Sequence, residues 1–275
     1  MSASLQQIST VIIARNEEEC IAQAIRSCLL FSDEIVLVDS GSQDATVQIA
    51  KNLGCQIYFH EWMGYAIQRN FGAEKASYDW IFFIDADEVV DEQLTQALLQ
   101  WKQHPQAETK AFAALRIGDF WGKWLDTRPE SHTRLYNKTV FRIKDVLVHE
   151  GPNVSPEQVV RLPGVIWHYG FRNISDLVMR FNRYTDLDAQ QAYGLGSRFN
   201  WVRLCLKPPA KFFQQYLWYG MYRQGLAGFT LAMLWSYYIF LKEVKLYDHA
   251  WQANHALAIA NPSDNSLVNT KVLVK

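Results

Sequence analysis

The stretch Trp80-Ile81-Phe82-Phe83-Ile84 runs without a polar residue into Asp85-Ala86-Asp87-Glu88. Consecutive apolar residues that are mostly aromatic or β-branched predict a strand buried on both faces, as in a parallel sheet covered by helices. In open sheets of this kind, ligands bind beyond the carboxyl ends of the strands. The acidic residues that follow the strand are therefore the first candidates for a functional site.

The same order of strand and helix is repeated upstream of this stretch. Strands are predicted at residues 10–14, 35–38 and 55–59, and apolar residues recur at helical spacing after them. Asp44 is the expected cap of the second helix, and the third helix is expected over residues 66–76. This alternation predicts an α/β fold with a mostly parallel central sheet and helices on both faces.

The strand pattern changes in the second hundred residues. Longer alternating runs at 112–117, 134–141 and 159–167, interrupted by glycines and prolines, predict antiparallel or mixed strands added to the parallel core. A helix with Asn173 or Ser175 as its cap is expected to follow them.

The 275-residue chain carries 27 basic and 28 acidic side chains, for a net charge of −1. Its length allows a core that needs no disulfide or metal, and the balanced charge argues against a general nucleic-acid binder. The four cysteines lack the paired spacings of zinc sites, so we interpret them as free thiols in a reducing compartment. Residues 1–10 contain neither Lys, Arg nor a signal-like apolar run, which predicts a cytoplasmic protein.

The D-x-D spacing of Asp85 and Asp87 has a physical consequence. Side chains two apart on an extended backbone point the same way, so both carboxylates can converge on one divalent ion. Oxygen ligands of this kind favour Mg²⁺ or Mn²⁺. The alternative is that these acids cap the next helix, an interpretation that fits Glu88 better than the two aspartates.

Four motifs along the chain form a more specific pattern. In order they are Ala14-Arg15-Asn16-Glu17-Glu18, Val38-Asp39-Ser40-Gly41-Ser42-Gln43-Asp44-Ala45-Thr46, Arg69-Asn70 and Asp85-Ala86-Asp87-Glu88. This order resembles the family-2 glycosyltransferases, which have the nucleotide-diphospho-sugar (GT-A) fold. A fainter resemblance, to the subgroup that adds glucose or a similar sugar to lipopolysaccharide inner core, runs through Gly122-Lys123-Trp124, Arg134-Leu135-Tyr136, His149-Glu150 and His168-Tyr169.

The resemblance implies roles for the matching residues. Asp39 would contact the nucleobase or its ribose, Asp87 would hold the metal on the donor diphosphate, and Asp85 would face the ribose or the metal. The other residues implied in the nucleotide pocket are Ala14, Asn16, Glu17 and Arg69. From the residues alone, Arg69 is equally well explained as a helix-surface ion pair and Asn16 as a helix cap.

Histidines near the end of the family-like region could add to the metal site. His149 and His168 could complete the metal shell or contact phosphate, and His168 joins Asp85 and Asp87 as a predicted ligand of Mg²⁺ or Mn²⁺. A lone histidine more often satisfies a local hydrogen bond, so this alternative stays open for His168.

An inverting displacement needs a carboxylate that takes the proton from the acceptor hydroxyl. Glu150 follows the apolar run 146–148 and precedes Gly151-Pro152, as expected of a loop at a strand end. We predict Glu150 as this base. Asp126 and Glu130 are the alternatives.

The last third of the sequence is basic and aromatic. Residues 189–242 contain no acidic side chain and six basic ones, and 13 aromatics lie between residues 199 and 240. Residues 224–241 form an 18-residue uncharged run of nearly transmembrane length, but Gln, Thr and Ser interrupt it. This pattern favours a helix in the headgroup region of an anionic membrane. Aromatics at helical spacing, such as Phe212 and Tyr216, are also typical of core or dimer contacts.

Together these features predict a GT-A domain over residues 1–195 and a helical extension over residues 196–275. The domain would comprise a nucleotide-binding half, about 1–103, and an acceptor half, about 104–195. The expected function is inverting transfer of a hexose, glucose foremost, from a UDP-linked donor to lipopolysaccharide core or another envelope glycan. The enzyme would be attached peripherally to the inner face of the cell membrane, where it meets a glycolipid acceptor.

Other functions fit the sequence less well. A nucleotidyltransferase would require a glycine-rich phosphate loop after the first strand, and residues 14–17 contain no glycine. A dinucleotide oxidoreductase fails for the same reason. The alternative outside the enzymes is a membrane-docked protein that binds nucleotide sugars without turnover.

Overall fold

The computed structural model describes residues 5–104, 110–125, 130–144, 151–170 and 173–260. The contacts divide the chain into two compact units, Met1–Gly170 and Phe171–Lys275. The boundary that the sequence predicts between the GT-A domain and the helical extension, after residue 195, stays a prediction, as do the two halves predicted within the domain.

The first half of the sheet in the amino-terminal unit is parallel. Its strands, in the spatial order β3-β2-β1-β4, are β1 (Ile8–Ala14), β2 (Glu34–Asp39), β3 (Gln56–Phe59) and β4 (Trp80–Asp85). They are connected by α1 (Ile21–Cys28), α2 (Thr46–Asn52) and α3 (Tyr65–Lys75). Ile25 of α1 belongs to one buried cluster and Ala73 of α3 to the other, so helices cover both faces as predicted.

The second half of the sheet is mixed. The described strands continue from β4 in the order β8-β6-β9-β5, and β7 pairs with the last two residues of β6. Their bounds are β5 (Glu88–Val90), β6 (Ala111–Phe120), β7 (Lys123–Trp124), β8 (Glu130–Asn137) and β9 (Val159–His168). β6 and β9 are parallel, whereas β4–β8, β6–β8 and β5–β9 are antiparallel. The prediction of mixed strands is therefore confirmed.

One strand ends earlier than predicted. The run expected over residues 134–141 is wrong at its end, because β8 stops at Asn137. The Asn137 side chain accepts a hydrogen bond from the Thr139 N–H (2.9 Å), which begins a turn.

Acidic side chains accept backbone hydrogen bonds in the first turns of two helices, but the predicted N-cap of α2 is wrong. Asp44 is not the N-cap of α2, a position that Ala45 occupies, but its Oδ1 accepts the Thr46 N–H at 3.0 Å. Asp91 caps α4 (Glu92–Gln103) by accepting the Leu94 N–H at 2.7 Å. The helix-cap alternative for residues 85–88 is therefore wrong.

The carboxy-terminal unit consists of three long helices in its described part. They are α5 (Ile174–Gly194), α6 (Trp201–Phe213) and α7 (Gly225–Ala260). A π-helical turn, Gln214–Trp218, and a 3₁₀ turn, Met221–Gln224, join α6 to α7. Asn173 caps α5 by accepting the Asp176 N–H at 2.9 Å.

α6 and α7 form an antiparallel pair that side chains tie together. The Ser236 hydroxyl donates to the Pro208 carbonyl at 2.7 Å, and Lys207 lies 3.2 Å from Glu243. α7 continues well beyond the uncharged run at 224–241. No helix in the described part of the chain combines the length and apolar character that a bilayer crossing requires.

α3 packs closely against β1 and β2 at Gly72. A methyl group on its Cα would overlap Val11 Cγ1 and lie 2.9 Å from Val38 Cγ2. Alanine is the better helix former by about 1 kcal/mol. We nevertheless expect Gly72→Ala to lower the free energy of unfolding by about 1 kcal/mol or more, because overpacking a core contact costs more than this gain. Urea denaturation followed by circular dichroism measures the difference.

Gly194→Ala is the matched control for this substitution. Gly194 lies in the last turn of α5, and no heavy atom lies within 4 Å of where its Cβ would be. Its replacement should be neutral or slightly stabilising. If both variants were as stable as the unmodified chain, the sheet would accommodate the methyl group without cost.

Candidate active site

Three strand ends lie side by side at one edge of the sheet. Ala14 at the end of β1 pairs with Asp39 on β2, and the neighbouring Ile13 pairs with Asp85 on β4. The motifs that follow these strands are therefore brought together at the carboxyl edge, where open sheets bind ligands.

The loops after β1 and β2 are joined by hydrogen bonds. The Asn16 N–H donates to Ser42 Oγ (2.9 Å), and Asn16 Oδ1 accepts the Gln43 N–H (2.8 Å). Asn16 has a left-handed backbone (φ 57°), which asparagine tolerates better than most residues. Because α1 begins only at Ile21, the alternative that Asn16 caps a helix is wrong.

Asp39 and Glu17 are held by the second of these loops. The buried Asp39 carboxylate accepts the N–H groups of Gly41 (2.9 Å) and Ser42 (3.1 Å). The Glu17 N–H donates to Thr46 Oγ1 (2.7 Å) at the start of α2. These bonds preform one wall of the site. The nucleotide contacts implied for Asp39, Glu17, Asn16 and Ala14 stay predictions.

Arg69 and Asp85 form a partly buried ion pair at the end of β4, with the Arg69 side chain 7% exposed and that of Asp85 29% exposed. Arg69 Nη2 lies 2.6 Å from Asp85 Oδ1, and the guanidinium carbon lies 4.9 Å from the ring centre of Phe83. Arg69 is only 6% exposed, so the helix-surface alternative is wrong. Burial disfavours the charged form of Asp85, but the attraction of Arg69, assisted by Arg134 and Arg116, outweighs it and lowers the pKa of Asp85.

Glu88 lies at the centre of this charged cluster. Its fully buried Oε1 is 2.6 Å from Arg134 Nη2 and 3.0 Å from Arg116 Nε. Its Oε2 accepts the Asp85 N–H at 3.0 Å. Glu88 therefore fixes the backbone of the D-x-D turn and holds two cations that face Asp85.

Asp87 meets His168 where β5 pairs with the end of β9. Asp87 Oδ2 lies 3.4 Å from His168 Nε2, and the Tyr169 N–H donates to the Asp87 carbonyl (2.9 Å). Arg116 Nη2 lies 3.0 Å from Nδ1 and 3.1 Å from Nε2 of the imidazole. A side chain at Gly170 would overlap this ring. Backbone and neighbours thus determine where the imidazole lies.

Asp87 and His168 fit a divalent cation as a pair of protein ligands. Their separation of 3.4 Å is compatible with two ligands of one ion at about 2.1 Å each. The described residues contain no group of three or more His, Cys, Asp or Glu side chains that could hold a metal. Mg²⁺ is commonly bound by one or two carboxylates and completes its shell with substrate phosphates and water.

Two arginine contacts at the site bear on the metal prediction. Arg69 already neutralises the Asp85 carboxylate, which makes Asp85 a weaker candidate ligand than Asp87. Metal binding through His168 Nε2 would require Arg116 to move away from that nitrogen. The metal roles of Asp85, Asp87 and His168 stay predictions.

Most candidates for the catalytic base lie outside the described residues. This applies to Glu150 and to Asp126. His149, a candidate for the metal shell or for a phosphate contact, also lies outside the described residues. Glu130 is described: its exposed carboxylate lies 3.1 Å from His132 Nε2 and 3.8 Å from Arg116 Nη1.

Sequence reasoning missed Arg116 and Arg134 as parts of the site. Both belong to strands that pack into the sheet, and Arg134 is 4% exposed. A charged side chain in a buried strand needs a partner of opposite charge, because isolated buried charges are rarely tolerated. Arginines inside predicted core strands were therefore the signal for a buried carboxylate.

The amino-terminal part of the chain matches a known protein family. Residues 9–161 match the family model described as glycosyl transferase family 2. This chain belongs to that family. It is an enzyme, a glycosyltransferase, and the family match together with the sheet order confirms the predicted GT-A fold class.

Relatives of this glycosyltransferase align along nearly its whole length. The lipopolysaccharide core biosynthesis glycosyltransferase LpsC of Rhizobium meliloti (strain 1021) is 33% identical over 258 residues, which cover 90% of this chain and 94% of LpsC. The uncharacterized glycosyltransferase RP128 of Rickettsia prowazekii (strain Madrid E) is 28% identical over 272 residues, covering 94% of this chain and 92% of RP128.

Similar solved structures are more distant. Glucosyl-3-phosphoglycerate synthase from Mycobacterium tuberculosis, in complex with Mn²⁺, uridine diphosphate and glucosyl-3-phosphoglycerate, is 24% identical with a TM-score of 0.34. The similarity covers 42% of this glycosyltransferase and 45% of that chain, less than half of its length. S. aureus TarS 1-349 in complex with UDP-GlcNAc is 14% identical, with coverages of 68% and 66% and a TM-score of 0.43.

Proposed function

We propose that this glycosyltransferase moves a hexose, glucose foremost, from a UDP-linked donor to a hydroxyl group of lipopolysaccharide core or another envelope glycan. The observation that carries the proposal is the pair Asp87–His168 beside the Asp85–Arg69 ion pair, at the edge where three strands end. The name of the LpsC relative supports the class of acceptor.

The charges of the site suit a nucleoside diphosphate leaving group. Asp87 and His168 would hold the metal ion, and bound Mg²⁺ or Mn²⁺ supplies Lewis acidity toward the diphosphate as its bond to the sugar breaks. Arg116 lies beside His168 and places a positive charge close to that position. The ionised Asp85, fixed by Arg69, would orient the donor by accepting hydrogen bonds from its ribose.

Measuring the released product separates the proposal from its alternatives. Sugar transfer or donor hydrolysis releases UDP from UDP-glucose, whereas a nucleotidyltransferase releases pyrophosphate when it joins UTP to glucose 1-phosphate. A protein that only binds nucleotide sugars releases neither. We expect UDP from UDP-glucose with Mn²⁺ present. Release of pyrophosphate from UTP and glucose 1-phosphate, with no UDP from UDP-glucose, would contradict the proposal.

A thermal-shift screen of nucleotide sugars with Mn²⁺ identifies the donor. A ligand that binds only the folded state raises the melting temperature with the logarithm of its saturation. We expect the largest increase with UDP-glucose among UDP-linked and other nucleotide hexoses. A larger shift with a different base or sugar would redefine the donor.

Glu150 is the base that we propose for an inverting displacement. It would take the acceptor proton as the acceptor oxygen attacks the anomeric carbon and UDP leaves, so an α-linked donor yields a β-linked product. We expect Glu150→Gln to lower kcat by about a hundredfold or more. Quench-flow or steady-state assays of UDP release measure kcat, and NMR of the product gives the linkage.

Each of these two expected results has its own contradicting outcome. An α-linked product would contradict a single displacement. A fully active Glu150→Gln variant would move the assignment to Asp126 or Glu130.

We also propose peripheral attachment to the cytoplasmic face of an anionic membrane. The acid-free region 189–242 supports this proposal. Within the carboxy-terminal unit, however, Arg203 and Lys207 pair with Glu243, and Lys242 pairs with Asp188. Three of the six cations in the region are therefore partly neutralised, and apolar contacts must contribute more than the charge count suggests.

A further inference from the structure

The turn between α6 and α7 exposes large apolar side chains. We call residues 213–233 the hairpin tip, which includes the end of α6, both short helical turns and the start of α7. Trp218 is 85% exposed and Leu226 is 70% exposed. The main exposed apolar residues of the tip are Phe213, Leu217, Trp218, Tyr222, Leu226 and Met233.

The tip has a well-defined packed frame beneath these side chains. Tyr216 is stacked on Phe212 (5.3 Å between ring centres) and meets Phe229 edge-on (5.8 Å). Gly220 has a left-handed backbone (φ 72°), and a side chain at Gly228 would overlap the Met221 carbonyl. The exposed residues are therefore presented on a close-packed turn, in which the partly buried Phe212 and Tyr216 contact other aromatic residues of the same unit.

The exposed residues also follow helical spacing. Phe213 and Leu217 are four residues apart, and Leu226 and Met233 are seven apart on α7. Side chains at these intervals share one face of a helix. Each arm of the hairpin thus presents an apolar face next to the turn.

Charge is distributed unequally along the hairpin. The carboxylates that pair with its basic residues, Asp188 and Glu243, lie outside the tip. Near the tip, Lys211 Nζ lies 5.8 Å from the ring centre of Trp235, and the Arg223 guanidinium lies 5.6 Å from that of Tyr222. The tip itself contains one basic and no acidic residue.

We propose that the hairpin tip inserts into the headgroup layer of an anionic phospholipid bilayer. Leu217, Trp218 and Leu226 would enter the boundary with the acyl chains, while Lys211 and Arg223 would meet lipid phosphates. Aromatic rings with a polar group and cations on long apolar stems are favoured at this boundary. The inference deepens the proposed membrane attachment, on which it rests, by naming the segment that enters the lipid.

A lipid surface suits the tip better than a second copy of the chain. In a two-fold symmetric interface the same patch lies on both sides, so the interface would contain Lys211 and Arg223 of both copies. No acidic side chain between residues 189 and 242 is available to compensate them. Anionic headgroups provide that charge at every position.

Co-sedimentation with vesicles tests the insertion. The full chain is mixed with phosphatidylcholine vesicles with or without phosphatidylglycerol, and the double variant Trp218→Ser/Leu226→Ser is compared with the unmodified chain. We expect the variant to bind anionic vesicles at least about tenfold more weakly, since two large apolar side chains no longer leave water. High salt should weaken binding of the unmodified chain without abolishing it.

The double variant Met179→Ser/Leu195→Ser is the matched control. These residues of the same unit are 65% and 80% exposed, but they lie outside the hairpin tip. The control should bind like the unmodified chain. Equal loss in both double variants, equal binding of all three proteins, or no binding of the unmodified chain would overturn the inference.

Light scattering and a hydrolysis assay distinguish lipid insertion from dimerisation and from a failure of the proposed reaction. If the unmodified chain were dimeric without lipid and the tip variant monomeric by light scattering, a second copy would be the occupant and the inference would be wrong. Hydrolysis of UDP-glucose in solution should be equal in the tip variant and the unmodified chain. Absence of hydrolysis from every protein would contradict the proposed reaction while the vesicle result still decided the insertion.

Discussion

Asp87→Asn should abolish sugar transfer while leaving the fold intact. The substitution keeps the shape of the side chain but removes the negative charge that lies 3.4 Å from His168 Nε2. Loss of metal stabilisation of the leaving diphosphate is worth several kcal/mol, and each 1.36 kcal/mol or so corresponds to tenfold in rate. We therefore expect kcat to fall by about a thousandfold or more.

Binding of Mn²⁺ with UDP, which needs no turnover, should also be lost in the Asp87→Asn variant. Mn²⁺ with UDP should raise the melting temperature of the unmodified chain but not that of Asp87→Asn. Glu92→Gln is the matched control, because this exposed carboxylate follows Asp87 closely in the sequence and lies at the start of α4. The control should show normal activity and a normal shift. Near-normal turnover by Asp87→Asn in the presence of a chelator would remove Asp87 from the site.

The parallel half of the sheet could be predicted from the sequence because its signals are local. Each of its strands contains a short apolar or aromatic run, and a polar motif follows β1, β2 and β4 directly. Parallel strands align their carboxyl ends, so the position of Asp39 and Asp85 at one edge followed from topology alone. What each side chain contacts there did not follow, because the loops bind one another through Asn16 and Ser42.

The charged cluster around Glu88 could not be predicted because its members are far apart in sequence. Arg116 and Arg134 reach Glu88 from β6 and β8, strands whose pairing with the parallel half depends on the tertiary fold. From the sequence, the alternative for Glu88 is a helix cap, which is a local interaction. Asp91, three residues later, has that role.

The sequence overestimates the positive charge that residues 189–242 present, for a similar reason. The acid-free region ends at Lys242, and the next residue, Glu243, is the partner of Arg203 and Lys207. A helix hairpin brings residues some 40 positions apart into contact, so a count of charges within one window overlooks neutralisation from just outside it. The apolar tip became visible only when exposure was known.

Glu88→Gln should lower the free energy of unfolding by about 3 kcal/mol or more. The carboxylate is fully buried and compensates Arg134, which is 4% exposed, and Arg116. Glutamine has nearly the same shape and can still accept the Asp85 N–H, so the change removes mainly the charge. Removing one partner of a buried ion pair typically costs 3–5 kcal/mol, because the other charge is left in a medium that solvates it poorly.

Glu130→Gln provides the matched control for this prediction. Glu130 also faces Arg116, at 3.8 Å, but its side chain is 64% exposed. Exposed pairs of this kind contribute about 0–1 kcal/mol, so this variant should unfold almost like the unmodified chain in urea. Arg134→Met would be destabilising alone, yet in combination with Glu88→Gln the cost should be smaller than the sum, since the unpaired guanidinium is then absent. Equal stability of Glu88→Gln and Glu130→Gln would show instead that water or a rearranged side chain solvates the two arginines, and that the cluster does not depend on the Glu88 charge.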